Sequence, residues 1–149
     1  MREQPTRIAD LTAPLTPAQL RTPPAPDAWP LTGILAHLRA CADVWGECIA
    51  TMLGEDDPTI RAINPRAWIA RTDYPALAFA PSFAAYRAQR AALLETLDAL
   101  TPDQWGRAAT VTGAGAPQTR TIHFYAQWLA THERSHLKEI ARVAASMRE

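Results

Sequence analysis

The stretch "LTGILAHLRACADVWGECIATMLG" places Ile34, Leu38, Cys41, Trp45, Cys48 and Met52 at steps of four, three, four, three and four. Residues three and four apart lie above one another on a helix, so these six side chains share one face. A stripe this long must be covered by other helices, and the segment from about 31 to 54 is therefore a bundle helix. Two more segments repeat the pattern. One, about 82 to 100, carries Phe83, Tyr86, Arg90, Leu93, Leu97 and Leu100, with a charge among the apolar positions. The other, about 119 to 146, carries Tyr125, Leu129, His132, His136, Ile140 and Val143, with two imidazoles. A shorter helix near residues 4 to 13 has Pro5 in its first turn and stops before Pro14. No run shows period-2 alternation between hairpin turns, so the expected class is all-α, a four-helix bundle.

The connections refine this. The prolines of "LTPAQLRTPPAPDAWP" exclude a continuous helix and suggest an extended link that brings Trp29 to the body of the domain. Gly54, with "EDDP" behind it, is expected to end the second helix with a left-handed cap. The 26 residues of "EDDPTIRAINPRAWIARTDYPALAFA" exceed what antiparallel neighbours need and suit a crossover that leaves the second and third helices parallel. Within it, Asn64 and Pro65 can start a short helix, "PRAWIAR", and Trp68 and Tyr74 could cover a pocket. The segment "TPDQWGRAATVTGAGAPQ" is expected to loop over one end of the bundle. Its "GAGAP" lacks the third glycine and the lysine of a phosphate-cradling loop.

A chain of 149 residues suits a single domain, 1–149. Basic and acidic residues both total 15, leaving no excess positive charge for a phosphate backbone, so nucleic acid is not expected as a partner. No apolar run approaches the roughly 18 residues of a membrane span, and the start does not resemble a secretory leader. The expectation is a cytoplasmic protein without a membrane partner. Cys41 and Cys48 lie seven positions apart on one helix, with Cα atoms about 10 Å apart. A disulfide needs less than about 7 Å, so the two are expected as free thiols.

The fourth helix contains "ATHERSHLKEI", the His-Glu-x-x-His spacing of zinc peptidases. His132 and His136, four residues apart, project from one face and can meet one ion, whereas Glu133 is turned about 100° away and is expected to be solvated. The peptidase arrangement needs a third ligand downstream. Position 142 is Arg142, position 139 is Glu139, and only thirteen residues follow His136. A third ligand must come from upstream, from His37, His123, Cys41 or Cys48. His123, nine residues before His132, faces the opposite way. His37, one turn before Cys41, can point into the bundle, and three imidazoles would leave positions for water. Spacing alone leaves open an ordinary pair of buried histidines.

Two stretches, "APDAWPLTGILAHL" and "YAQWLATHERSHLKEI", with "YRAQRAALLETLDALTPDQW" between them, resemble the DinB-like or YfiT-like metalloenzymes, four-helix bundles of bacteria. The resemblance runs from about 17 to 146. It implies an up-down-down-up bundle and a divalent ion, zinc or nickel, held by His37, His132 and His136. It also implies a homodimer and, from relatives that act as thiol transferases or isomerases, a small-molecule substrate with a low-molecular-weight thiol as co-substrate. The chain departs from the pattern in its N-terminal helix, which is short and interrupted by proline. The expected function is activation of a thiol or water for transfer or hydrolysis, with Arg90 as the side chain that meets a substrate carboxylate. The alternative is a metal-binding or dimeric scaffold without turnover. An open coordination position separates the first from the second, in which a fourth protein ligand closes the site. Cys41 is the candidate for that ligand, and Glu139 for a group that orients a ligand imidazole.

Overall fold

The computed structural model describes residues 1–148. The four expected helices are present as α1 (Gln4–Thr12), α3 (Leu31–Gly54), α5 (Phe79–Asp98) and α7 (Ile122–Ser146). The connections hold the short helices α2 (Pro17–Arg21), α4 (Pro65–Ile69) and α6 (Pro102–Trp105), and a single 3-10 turn at Tyr74–Ala76. Both α2 and α6, expected as irregular chain, follow the same signal: "TPAQ" and "TPDQ" put proline at the first helical position and close a capping box, Thr16 with Gln19 and Thr101 with Gln104. Asn64 caps α4 as expected, accepting from the Arg66 N–H at 2.9 Å.

Side-chain pairs give the helix directions. Arg39 meets Ser82 and Asp43 meets Gln89, so α3 and α5 advance together across the crossover. His37 lies beside His136 and Trp45 beside Trp128, so α3 and α7 run antiparallel. Two apolar clusters fill the interior. One gathers Ile8, Ile34, Leu38, Tyr86, Leu137 and Ile140, and the other Cys48, Met52, Leu97, Ile122, Tyr125 and Leu129. On α3, α5 and α7 alike, the residues between the two clusters are where the polar side chains sit.

The all-α expectation needs correcting. Three short strands, β1 (Thr59–Arg61), β2 (Ala108–Thr112) and β3 (Gln118–Thr121), form one sheet in the order β1-β2-β3. β1 pairs parallel with β2, Ile60 opposite Val111, and β2 pairs antiparallel with β3, Thr110 opposite Thr119. Strands of three to five residues give too few alternations for a period to show, although "ATVT" and "QTRT" carry the β-branched residues strands favour. Gly113 and Gly115 between β2 and β3 have φ of +86° and +83°, which only glycine adopts without strain. The sheet also shortens the fourth helix: β3 runs to Thr121, whose hydroxyl accepts from the Phe124 N–H and starts α7. Gly54 remains helical, and the left-handed residue that follows α3 is Asp57, with φ of 45° just before Pro58. Both cysteines are free and buried. No helix among the described residues is long and apolar enough to cross a membrane.

One carboxylate fastens the crossover to α3. Asp43 accepts from Trp68 Nε1 at 3.1 Å, from the Tyr74 hydroxyl at 2.7 Å and from Gln89 Nε2 at 2.5 Å, while the Arg39 guanidinium lies 3.7 Å from the Tyr74 ring centre. Asp43→Ala leaves three donors without their acceptor and is expected to cost about 1–3 kcal/mol in urea unfolding. A variant as stable as the parent would mean that apolar contacts alone hold the crossover.

Candidate metal centre

The imidazoles of α3 and α7 meet in the polar layer. His37 Nε2 lies 3.3 Å from His132 Nε2, and His136 Nε2 lies 3.2 Å from the same atom. The rings of His37 and His136 are centred 4.9 Å apart. Cys41, one turn along α3 from His37, brings its sulfur to 3.4 Å from His37 Nε2 and 3.9 Å from His132 Nε2. His37, Cys41 and His132 offer donor atoms that all lie within 4.8 Å of one another. His123 stands apart, beside Trp105.

Burial, reinforced by the neighbouring imidazoles, lowers the pKa of His37 and of His132 to about 4, so both rings are neutral at physiological pH. Burial also pushes the Cys41 thiol up, to about 12. His136 Nδ1 is 2.8 Å from Glu139 Oε2; donating there, it leaves Nε2 with a free lone pair. Trp29 and Trp45 pack against the cluster, each with its ring centred 5.0 Å from an imidazole, His37 and His132 respectively.

These donors suit a divalent ion. Among the described residues, the Nε2 atoms of the three histidines find only one another and the Cys41 sulfur. The neutral rings of His37 and His132 meet edge to edge with no shared positive partner, which a cation would supply. The compact donor set is His37, Cys41 and His132, and not the three histidines expected from the sequence: His136 Nε2 lies 3.2 Å from His132 Nε2 but outside that set, and the sulfur of Cys41 takes the third place because it sits one turn from His37 on the same helix.

A second polar group lies behind the first. Glu133, expected to be solvated, is 1 % exposed, because the side of α7 it occupies faces α5. It accepts from Arg90 Nε at 3.0 Å and from the Tyr86 hydroxyl. Arg90, also 1 % exposed, does turn its head inward, and what it meets there is Glu133. Burial pushes the Glu133 carboxyl up, to about 8, and the Arg90 guanidinium down, to about 10, and the direct contact between the two groups works against both shifts. Among the described residues, Arg90 Nη1 and Glu133 Oε2 find no hydrogen-bond partner. The sequence signal for Glu133 was Arg90 itself, since a guanidinium inside an apolar seam needs a carboxylate from a facing helix.

Among the cavities that border α3, two lie near the crossover. One, of about 340 Å³, touches His37 and is walled by Trp29, Ala36, Arg66, Ile69 and Pro75. The larger, of about 560 Å³, lies along Asp43, Glu47, Trp68 and Tyr74 and touches none of the imidazoles.

The DinB superfamily model matches residues 1–140. The chain belongs to that superfamily. Among solved structures it is similar to YfiT from Bacillus subtilis, described as a probable metal-dependent hydrolase with an unusual four-helix bundle topology. The two superpose with a TM-score of 0.81 at 21% identity, over 97% of this chain and 82% of that one. The likeness extends to the fold. No curated protein matches the chain.

The Arg90–Glu133 pair makes its own prediction. Removing one partner, by Arg90→Met or Glu133→Leu, is expected to cost about 3–5 kcal/mol in urea unfolding, because a buried charge is left alone. The double variant is expected to lose much less than the sum. Additive losses would show that the two charges do not sense each other.

Proposed function

We propose that this protein is a divalent-metal-dependent enzyme in which His37, His132 and His136 hold the ion, zinc or nickel, and that it acts by hydrolysis or thiol transfer on a small molecule. The observation that supports this is the approach of His37 Nε2 to His132 Nε2, 3.3 Å, across two helices, with His136 Nε2 a further 3.2 Å from His132 and able to join by a small turn of its ring. A divalent ion held by neutral imidazoles lowers the pKa of a water or thiol bound to it toward about 7. The chain's own residues do the remainder. Glu139 holds the His136 ring so that its lone pair points at the shared centre. Arg90 and Tyr86 hold Glu133 away from that centre, so the carboxylate steadies α7 and is not the general base of the peptidase motif. Arg90 is proposed to position the ligand helix, and its free Nη1 remains the atom through which it could meet a substrate carboxylate. The superfamily and the likeness to YfiT support the metal-dependent reading, and the pairings of α3 with α5 and α7 support the up-down-down-up order.

Cys41 favours a second reading. Its sulfur is close enough to two imidazoles to serve as a fourth ligand, and such a set would close the site into a metal-holding centre without turnover. Metal content separates the two. The parent is expected to hold one ion per chain, and His37→Ala and His132→Ala to lose it. Cys41→Ser is expected to keep the ion if the site is open, and to lose most of it if sulfur is a ligand. Unchanged metal in His132→Ala would end both readings.

Activity gives the second check. Model thioesters and thiol acceptors tested with zinc- and nickel-loaded protein are expected to turn over, and His136→Ala to lower the rate by at least about a hundredfold, the order of a lost catalytic ligand environment. Turnover that survives in His136→Ala would exclude that ring from the centre.

A further inference from the structure

The cavity that reaches His37 has one charged wall, Arg66, which makes no salt bridge among the described residues. We propose that Arg66 selects the substrate, which is a small carboxylate with an apolar body, lying across Trp29 with its charged end at Arg66 and its reacting end at His37. This rests on the metal-dependent reading above and names the substrate class for the same centre.

The geometry is a short series. The Arg66 guanidinium is centred 5.2 Å from the Trp29 ring, and the Trp29 ring 5.0 Å from that of His37, so one indole separates the cation from the imidazole. Around the indole the walls are mostly apolar, Ala36, Ile69 and Pro75 among them, with Thr32 the one hydroxyl and Arg66 the one charge. The volume, about 340 Å³, is at the small end for a ligand site.

Charge points the same way. Among the described residues, Arg66 makes no salt bridge; most cations of the chain share this, but Arg66 is the one that lines the cavity beside His37. A cationic fork at one end of an apolar trough and a divalent ion at the other repel a cationic ligand and favour an anionic one, and the planar guanidinium matches a carboxylate with two parallel bonds. The fork is held in place by the backbone: Asn64 caps α4 at the Arg66 N–H, and Asp43 pins the crossover beyond it through Trp68 and Tyr74. Arg66 is exposed, so its replacement leaves the packed core alone.

Phenylacetate and its neutral analogue phenylacetamide serve as probes, titrated calorimetrically into the full chain in zinc-loaded and in metal-free form. The parent is expected to bind phenylacetate at least about tenfold more tightly than the amide in both forms. Arg66→Gln is expected to lose that preference, and Arg66→Lys to keep part of it, with zinc content unchanged in both. Equal affinity of Arg66→Gln and parent for phenylacetate overturns the proposal, as does a parent that binds neither probe. Binding confined to the zinc-loaded form and indifferent to Arg66 means that the carboxylate goes to the ion, and overturns it too. A parent that holds no zinc yet discriminates through Arg66 refutes the metal-dependent reading and leaves the anion site standing, so the two failures are distinguishable.

Discussion

The antiparallel contact between α3 and α7 is the constraint on which the other features depend. It sets His37 beside His136 and Trp45 beside Trp128, so the register of the two helices is also the register of the imidazole cluster. Apolar packing above and below holds that register, with Leu38 and Ile140 in one cluster and Met52 and Leu129 in the other. Between the clusters, polar groups are buried at a cost that only specific partners offset. Slippage by one turn would separate the rings and bring apolar side chains against them. The same packing that stabilises the bundle therefore fixes where donor atoms can meet.

The Arg90–Glu133–Tyr86 group plays a different part. A buried ion pair contributes little net stability, because desolvation of both charges roughly cancels their attraction. Its effect is orientational. Glu133 immediately follows His132, so a carboxylate tied to two residues of α5 limits how far α7 can rotate about its own axis. The crossover is held in a comparable way from the other side of α3, where Asp43 gathers an indole, a phenol and an amide. Polar anchors on both sides of α3 thus steady the walls near His37.

Much of this was legible in the residues. The bounds of α3 came from an unbroken stripe of three- and four-residue steps, which over 24 residues leaves little room for error. The pairing of His132 with His136 is legible in their four-residue spacing, and the approach of His37 to His132 in its place beside the stripe of α3; that Cys41 joins these two in the compact donor set depends on side-chain directions that spacing does not fix. The strands escaped because they are only three to five residues long, and β1 is a strand only because β2, distant in sequence, lies next to it. The short helices α2 and α6 escaped because proline was taken as a breaker where, after a capping threonine, it is a starter. Glu133 escaped because neighbouring positions on a helix face different ways, and which way is buried depends on α5.

The chain order of the centre has a consequence for synthesis. His37 emerges early, but His132 and His136 lie in the last helix, and α1 also packs against that helix, with the Arg148 guanidinium bonded to the Leu11 carbonyl. Nascent chain on the ribosome can therefore form α3 and α5 as a parallel pair while the apolar faces meant for α7 are still uncovered. Closure of the bundle by α7 follows the synthesis of α3 and α5, and the interval before it is when their uncovered faces are most exposed to aggregation and to chaperones.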